Sequence, residues 1–212
     1  MPSKVVLICL FILSSIVCKA QNKGADTIAK VKIDTTQDYN QVLTRLEQQS
    51  AEKSYDNLGE LITEIDFQVK TDNLKDYKEG FIPWIRLEHP QRELGKLIDK
   101  DKVVLQDTAI TVLIDYPLTN EYRFRLNAKP GFTRAQLVKV ISSEYYKLFA
   151  EEEATATIKT IPIEQRKKIA NRNQTNGKYG IWGHDIADLV LAGVKIIKAP
   201  NGELYLVLNI ES

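Results

Sequence analysis

The sequence predicts an α+β fold: N-terminal helices followed by a mostly antiparallel sheet with one central helix. Three observations carry that prediction. Two segments, 109–128 and 188–210, read as strand pairs joined by short turns. Between them, 133–150 has the apolar spacing of a single amphipathic helix, with a well-marked start. Upstream, 35–65 shows apolar residues recurring at intervals of three and four. Strand, strand, helix, strand, strand is satisfied by an antiparallel sheet with the helix laid across one face. Ubiquitin-like β-grasp folds have the same order, an analogy confined to 105–210 that carries no function.

The chain has 212 residues and opens on a secretory pattern. Lys4 precedes the apolar run VVLICLFILSSIVC (5–18), and CKA (18–20) places small residues before Gln21. The expectation is a signal peptide over 1–20, cleaved after Ala20, and an exported chain, periplasmic or secreted. Acylation of Cys18 is the secondary reading, disfavoured by the bulk of Val17. Cys9 and Cys18 are the only cysteines, so the cleaved chain would lack disulfides, thiol nucleophiles and thiolate metal ligands. Losing Lys4 and Lys19 reduces 29 basic residues to 27, against 28 acidic ones. That balance excludes a general nucleic-acid-binding surface. No later segment is apolar enough for a membrane span, so no stable span is expected after cleavage.

Residues 21–34 form a polar lead-in without periodicity. A helix is expected from Thr35 or Thr36, with Tyr39, Val42, Leu43 and Leu46 on its inner face. A second helical pattern follows in 54–65, through Leu58, Leu61, Ile62 and Ile65. EIDFQVK (64–70) then alternates as a half-buried strand. The charged connector TDNLKDYKEG (71–80) marks the expected boundary between a helical N-terminal segment, 35–80, and an α+β domain, 81–212. In FIPWIRLEHP (81–90), Pro83 restricts the chain to an edge strand or irregular structure, and Pro90 opens a short helix.

AITVLIDY (109–116) and NEYRFRLNA (120–128) form the first expected hairpin. Thr133 and Gln136 have capping-box spacing, and Phe132 and Leu137 take the hydrophobic-staple positions. Leu137, Val138, Ile141, Tyr145, Leu148 and Phe149 make the buried stripe. The last hairpin, within 188–210, turns at Asn201-Gly202.

Chemistry concentrates in NGKYGIWGHDIADL (176–189). It gathers three glycines, Tyr179, Trp182 and His184, one of two histidines in the chain. His184 is the natural acid/base, with Asp185 or Asp188 to orient it. Asp185 can equally cap a short turn, and Tyr179 and Trp182 can equally anchor a core. Arg172, Asn173, Lys178, Tyr179 and Trp182 are the candidate binding residues. No nucleophile elbow, zinc motif or P-loop occurs, and two histidines make a poor metal site, so no metal or cofactor is expected. Asn173 also begins an N-Q-T sequon. The acidic run Glu151–Glu153 sits unfavourably at the end of the 133–150 helix. The cluster Arg166, Lys167, Lys168 and Arg172 is its expected partner, and a divalent metal is the other candidate.

IDYPL (114–118), GFTRAQL (131–137), the acidic run EEE (151–153) and above all NRNQTNGKYGIWGHDIADLVL (171–191) resemble an uncharacterised protein family. The resemblance spans about the C-terminal half. That family has no established activity, so no catalytic residue is implied, only that 171–189 is its defining feature. Three functional readings follow. The first is an exported binding or interaction domain, for a protein or small-molecule ligand, using the 171–185 loop. The second is a hydrolase-like enzyme acting through His184, and the third a purely architectural motif.

Overall fold

The computed structural model describes residues 35–212 except 107–108, 128–130 and 168. The expected signal peptide and polar lead-in lie outside the described residues, as does Lys168. The elements in chain order are α1 (Thr35–Ala51), β1 (Glu60–Asp66), β2 (Val69–Lys70), β3 (Phe81–Ile82), β4 (Ile85–Arg86), β5 (Val103–Leu105), β6 (Ala109–Ile114), β7 (Tyr122–Asn127), β8 (Phe132–Thr133), α2 (Arg134–Thr155), β9 (Val190–Lys198) and β10 (Leu204–Glu211).

This is an α+β fold with the main sheet in the order β1-β9-β10-β6-β7, and β4 also pairing with β9. Its pairs are antiparallel except β6 with β10, which run parallel in the middle. Two hairpins, a helix between them and a parallel central pair reproduce the β-grasp-like order expected over 105–210. The hairpin of β9 and β10 turns at Asn201-Gly202, where Gly202 has φ +88°.

α2 begins as its sequence dictates. The Thr133 hydroxyl accepts from the Gln136 amide at 3.2 Å, and the Gln136 side chain accepts from the Thr133 amide at 2.8 Å. Leu137, Val138, Ile141, Tyr145 and Leu148 are buried, and they form one core cluster with sheet residues such as Ile110, Val112, Ile114, Val194, Ile196 and Leu206. Fully burying one such side chain contributes about 1.5–3 kcal/mol.

Two N-terminal expectations are corrected. The helical pattern of 54–65 forms a short 3-10 turn and then β1, so α1 is the one α-helix before the sheet among the described residues. Gly59 explains the change. A side chain there would put Cβ 2.1 Å from the Lys198 carbonyl oxygen, so the glycine brings two backbones together and the chain continues as a partner of β9. Leu61 and Ile62, expected on a buried helical face, are exposed. Residues 34–212 make one compact unit, and 71–80 merely joins β2 to β3, its antiparallel partner. The expected helix after Pro90 is a pair of 3-10 turns.

Candidate functional site

The loop 171–185 folds around one carboxylate from another element. Glu152, in the last turns of α2, is fully buried. Its Oε1 accepts from the Thr175 hydroxyl at 2.6 Å and the Gly177 amide at 2.8 Å. Its Oε2 accepts from the Tyr179 amide at 2.7 Å and the Gly180 amide at 3.1 Å. Successive backbone amides form a concave nest for an anion, and here the protein supplies the anion itself. Burial pushes the Glu152 carboxyl upward, but these four donors outweigh it and hold the group below the usual carboxylate value. Gly177 is required because a Cβ there would lie 2.6 Å from the Glu152 carbonyl oxygen.

Glu151, one residue before Glu152, follows the same direction. Glu151 accepts from the Tyr179 hydroxyl at 2.5 Å and pairs with Lys178 at 2.9 Å, and both contacts hold its carboxyl below the usual range. Glu153 accepts from the amide and hydroxyl of Thr160. Among the described residues no ion pair joins Glu151–Glu153 to Arg166, Lys167 or Arg172, although the Glu153 charge acts on Arg172 at longer range. Arg166 instead grips Asp185 with two hydrogen bonds, at 2.6 and 3.0 Å, and Arg172 lies 3.6 Å from the same carboxylate. The nest outcompetes the arginines because its amides are fixed by the turn, whereas a salt bridge must also order two long side chains.

Tyr179 and Trp182 are buried, at 3% and 2% exposure, as core anchors. Trp182 packs edge-on to Tyr116, with ring centres 5.2 Å apart. Arg172 is buried against the Phe149 ring at 5.0 Å. Burial lowers its pKa, against the opposing pull of Asp185. The Arg172 Nε and Nη2 and the Trp182 Nε1 are buried and find no hydrogen-bond partner among the described residues. Lys178 is exposed.

His184 does not use Asp185 or Asp188. Its Nε2 lies 2.6 Å from Glu47 Oε1, on α1, and 3.4 Å from the Ser212 hydroxyl. Asp188 instead accepts from the Asp185 amide at 2.9 Å, capping the turn that leads into β9. A relay needs its nucleophile and its orienting acid on different ring nitrogens, and here Glu47 and Ser212 meet the same one. Tyr116 completes the cluster, its hydroxyl donating to Glu47 at 3.1 Å. Burial first, and then the nearby Glu47 charge, raise the Tyr116 pKa.

The outer part of the loop has a different character. Asn173 Oδ1 accepts from the Ile161 amide at 2.7 Å, while its Nδ2 donates to the Lys159 carbonyl at 3.1 Å. Asn176 Oδ1 accepts from the amides of Thr157 and Ile158. Two asparagines thus fix the backbone of 157–161, and that segment and its continuation display Ile158, Ile161 and Ile163 at 55%, 37% and 71% exposure. Beside Ile158 lies a depression of about 380 Å³ lined by Thr119, Asn120, Gln174, Thr175, Asn176, Gly177 and Gly180. His184, Trp182 and Asp185 do not line it.

Glu152, Glu47, Tyr39 and Tyr116 were not singled out as site residues from the sequence. Glu47 carried a signal: it stands four residues after Leu43 and eight after Tyr39, on the same helix face. Among the described residues there is no cluster of three or more potential metal ligands, and no helix is long and apolar enough to cross a membrane.

No protein family, curated protein or solved structure matches the chain. The chemistry of the site is therefore read from its own geometry.

Proposed function

We propose that this chain is an exported binding domain whose contact surface is the outer part of the motif, Gln174–Lys178, together with the loop 157–163. One observation carries the reading: Ile158 and Ile161 stand in solvent on a backbone that Asn173 and Asn176 hold by hydrogen bonds, and exposed Ile163 follows two residues later. Exposed apolar side chains scattered singly need no explanation, but a pre-ordered group beside a polar depression is the form of an interaction site. Rigid presentation reduces the ordering cost of association. Asn120, Gln174 and Asn176 ring the depression with amides, and Ile158 gives it an apolar wall. That combination fits an extended peptide segment of a protein partner, with main-chain groups meeting the amides and an apolar side chain meeting the isoleucines.

Export rests on the pattern of Lys4, the apolar run 5–18 and CKA before Gln21. Intact-mass analysis of the secreted protein should give a chain starting at Gln21 that takes up no thiol label. A labelled or lipid-bearing product would overturn that part.

For binding, random peptides displayed on phage are selected against the purified protein. Enriched peptides should lose at least about tenfold in affinity against Ile161→Ser/Ile163→Ser and keep it against His184→Ala. No enrichment, or equal binding to the isoleucine variant, would remove this surface from consideration. The hydrolase-like alternative places the effect at His184 instead, so the same pair of variants separates the two.

A further inference from the structure

β1 and β7 are the two ends of the main sheet, and among the described residues each is paired with a strand along one side only. A free strand edge presents amides and carbonyls that another strand can meet. The ladders fix which groups these are. The Phe67 amide donates to the Ala192 carbonyl, so along β1 the backbone of Ile65 and Thr63 turns to β9 and that of Glu64 turns outward. The Ala199 amide donates to the Glu203 carbonyl. The same alternation, carried through β10 and β6, turns Phe124 toward β6 and turns Arg123 and Arg125 outward. On the outer side of β1, the Glu64 carbonyl meets the Thr63 hydroxyl at 3.4 Å, and the Asp66 carbonyl is taken by Arg134 Nε at 3.1 Å.

The two edges carry opposite charge on one face of the sheet. Glu64, Lys195, Val207, Leu113 and Arg123 lie in register across it, on the face away from α2. Glu64 and Asp66 mark one edge and Arg123 and Arg125 the other, each pair spaced by two, and all four are exposed. Their present partners hold them weakly: Glu64 lies 3.7 Å from Lys195, and Arg123 meets Glu121 at the surface. β1 also leaves Leu61 and Ile62 in solvent, at 50% and 51% exposure.

We propose that a second copy of this chain docks its β1 on β7, head to tail, and so continues the sheet. β1 runs opposite to β7, so a copy in the same orientation sets the two strands antiparallel. Glu64 then stands opposite Arg125 across the junction and Asp66 opposite Arg123. The outward backbone groups of Glu64 and Arg125 bond each other. Charge selects this pairing over the two-fold ones. β1 against β1 sets carboxylates together, β7 against β7 sets guanidiniums together, and like charges directly opposite are destabilising. The ladder is short, because the register shift between Leu61 and Thr63 limits it on one side of Glu64 and Arg134 on the other. Association is accordingly weak and concentration-dependent. Each copy keeps one free edge of each kind, so the assembly stays open unless its rotation closes a ring. This goes beyond the outer surface proposed above and uses different residues.

The test is sedimentation velocity of the full chain over rising concentration. The sedimentation coefficient of the unmodified protein should increase with concentration. Glu64→Arg and Arg125→Glu should each need at least about tenfold more protein for the same increase. Glu64→Arg/Arg125→Glu, which exchanges the charges within one chain, should regain the unmodified behaviour. Ile161→Ser/Ile163→Ser should change nothing, so failure here and failure of the outer-surface reading are distinguishable. A coefficient that stays at the monomer value up to millimolar protein overturns the proposal. So does association that survives Glu64→Arg, or a charge-exchanged variant that does not recover. Hydrogen exchange on the unmodified protein decides if a variant does not fold. The amides of Glu64 and Arg125 should exchange freely in dilute solution and slow at high concentration, and rates independent of concentration overturn the proposal.

Discussion

The carboxylate of Glu152 lies 2.8 Å from the amide of Gly177, and three further donors from the same turn converge on it. This contact joins the end of α2 to the centre of the motif. Replacing Glu152 by Gln places an NH₂ group against amide donors and leaves at least one buried donor unpaired. A hydrogen bond to a charged group is worth about 1.5–3 kcal/mol, so the variant should lose at least that much stability in urea denaturation. Because the folded carboxyl is held below its ordinary value, its contribution is complete above the ordinary range and disappears as pH falls through the folded value. The unmodified protein should therefore lose stability below about pH 4.5 more steeply than Glu152→Gln does.

Gly177 and Gly202 should respond differently to alanine. At Gly177 the new methyl meets the Glu152 backbone and carboxylate, both fixed, whereas at Gly202 nothing lies within 4 Å. Gly177→Ala should cost about 1–3 kcal/mol by overpacking. Gly202→Ala should cost only the strain of its positive φ, roughly 1–2 kcal/mol. Paired thermal melts compare the two, and equal losses would place the cost in the turns rather than in the Glu152 contact.

Asn173 and Asn176 should control the order of the isoleucine loop. Asn173→Asp replaces a donor to the Lys159 carbonyl with a second acceptor, at about 0.5–1.5 kcal/mol for this exposed contact. Amide exchange at Ile158 and Ile161 should accelerate in Asn173→Asp and Asn176→Asp while β9 and β10 stay protected. Unchanged exchange would mean that the loop orders itself.

Thr133→Ala removes the hydroxyl half of the capping box on α2. The expected loss is about 0.5–2 kcal/mol, read as a lower urea midpoint with an unchanged slope. A change in slope would show that the substitution altered more than the helix start.

His184→Ala breaks the contact to Glu47 and should lower stability by about 1–2 kcal/mol. The accompanying signature is faster exchange along α1 with little change in the sheet. Uniform acceleration throughout the chain would mean that His184 supports the core and not the seating of the helix.

The central part of the fold was legible in the sequence because its signals are local. The capping box at Thr133, the apolar stripe of α2 and the Asn201-Gly202 turn each specify structure within a few residues, and each forms as expected. The site was only half legible. The compositional density of 176–189 marked where backbone and aromatics had to come together, and the capping role of Asp185 before Asp188 followed from spacing.

What the sequence by itself determined is the set of elements whose causes lie within one turn of helix or one hairpin, and with them the α+β class. Only the tertiary structure decided that 60–63 joins the strand read from 64 onward, because Gly59 meets Lys198 across a sequence separation that no local pattern encodes. The same holds for the partners of the charged groups. Glu152 belongs to the Gly177 turn, Asp185 to Arg166, and His184 to Glu47, since a buried or half-buried charge settles on the donors or acceptors that folding fixes around it. Proximity in the chain suggested other pairings, and geometry overruled them.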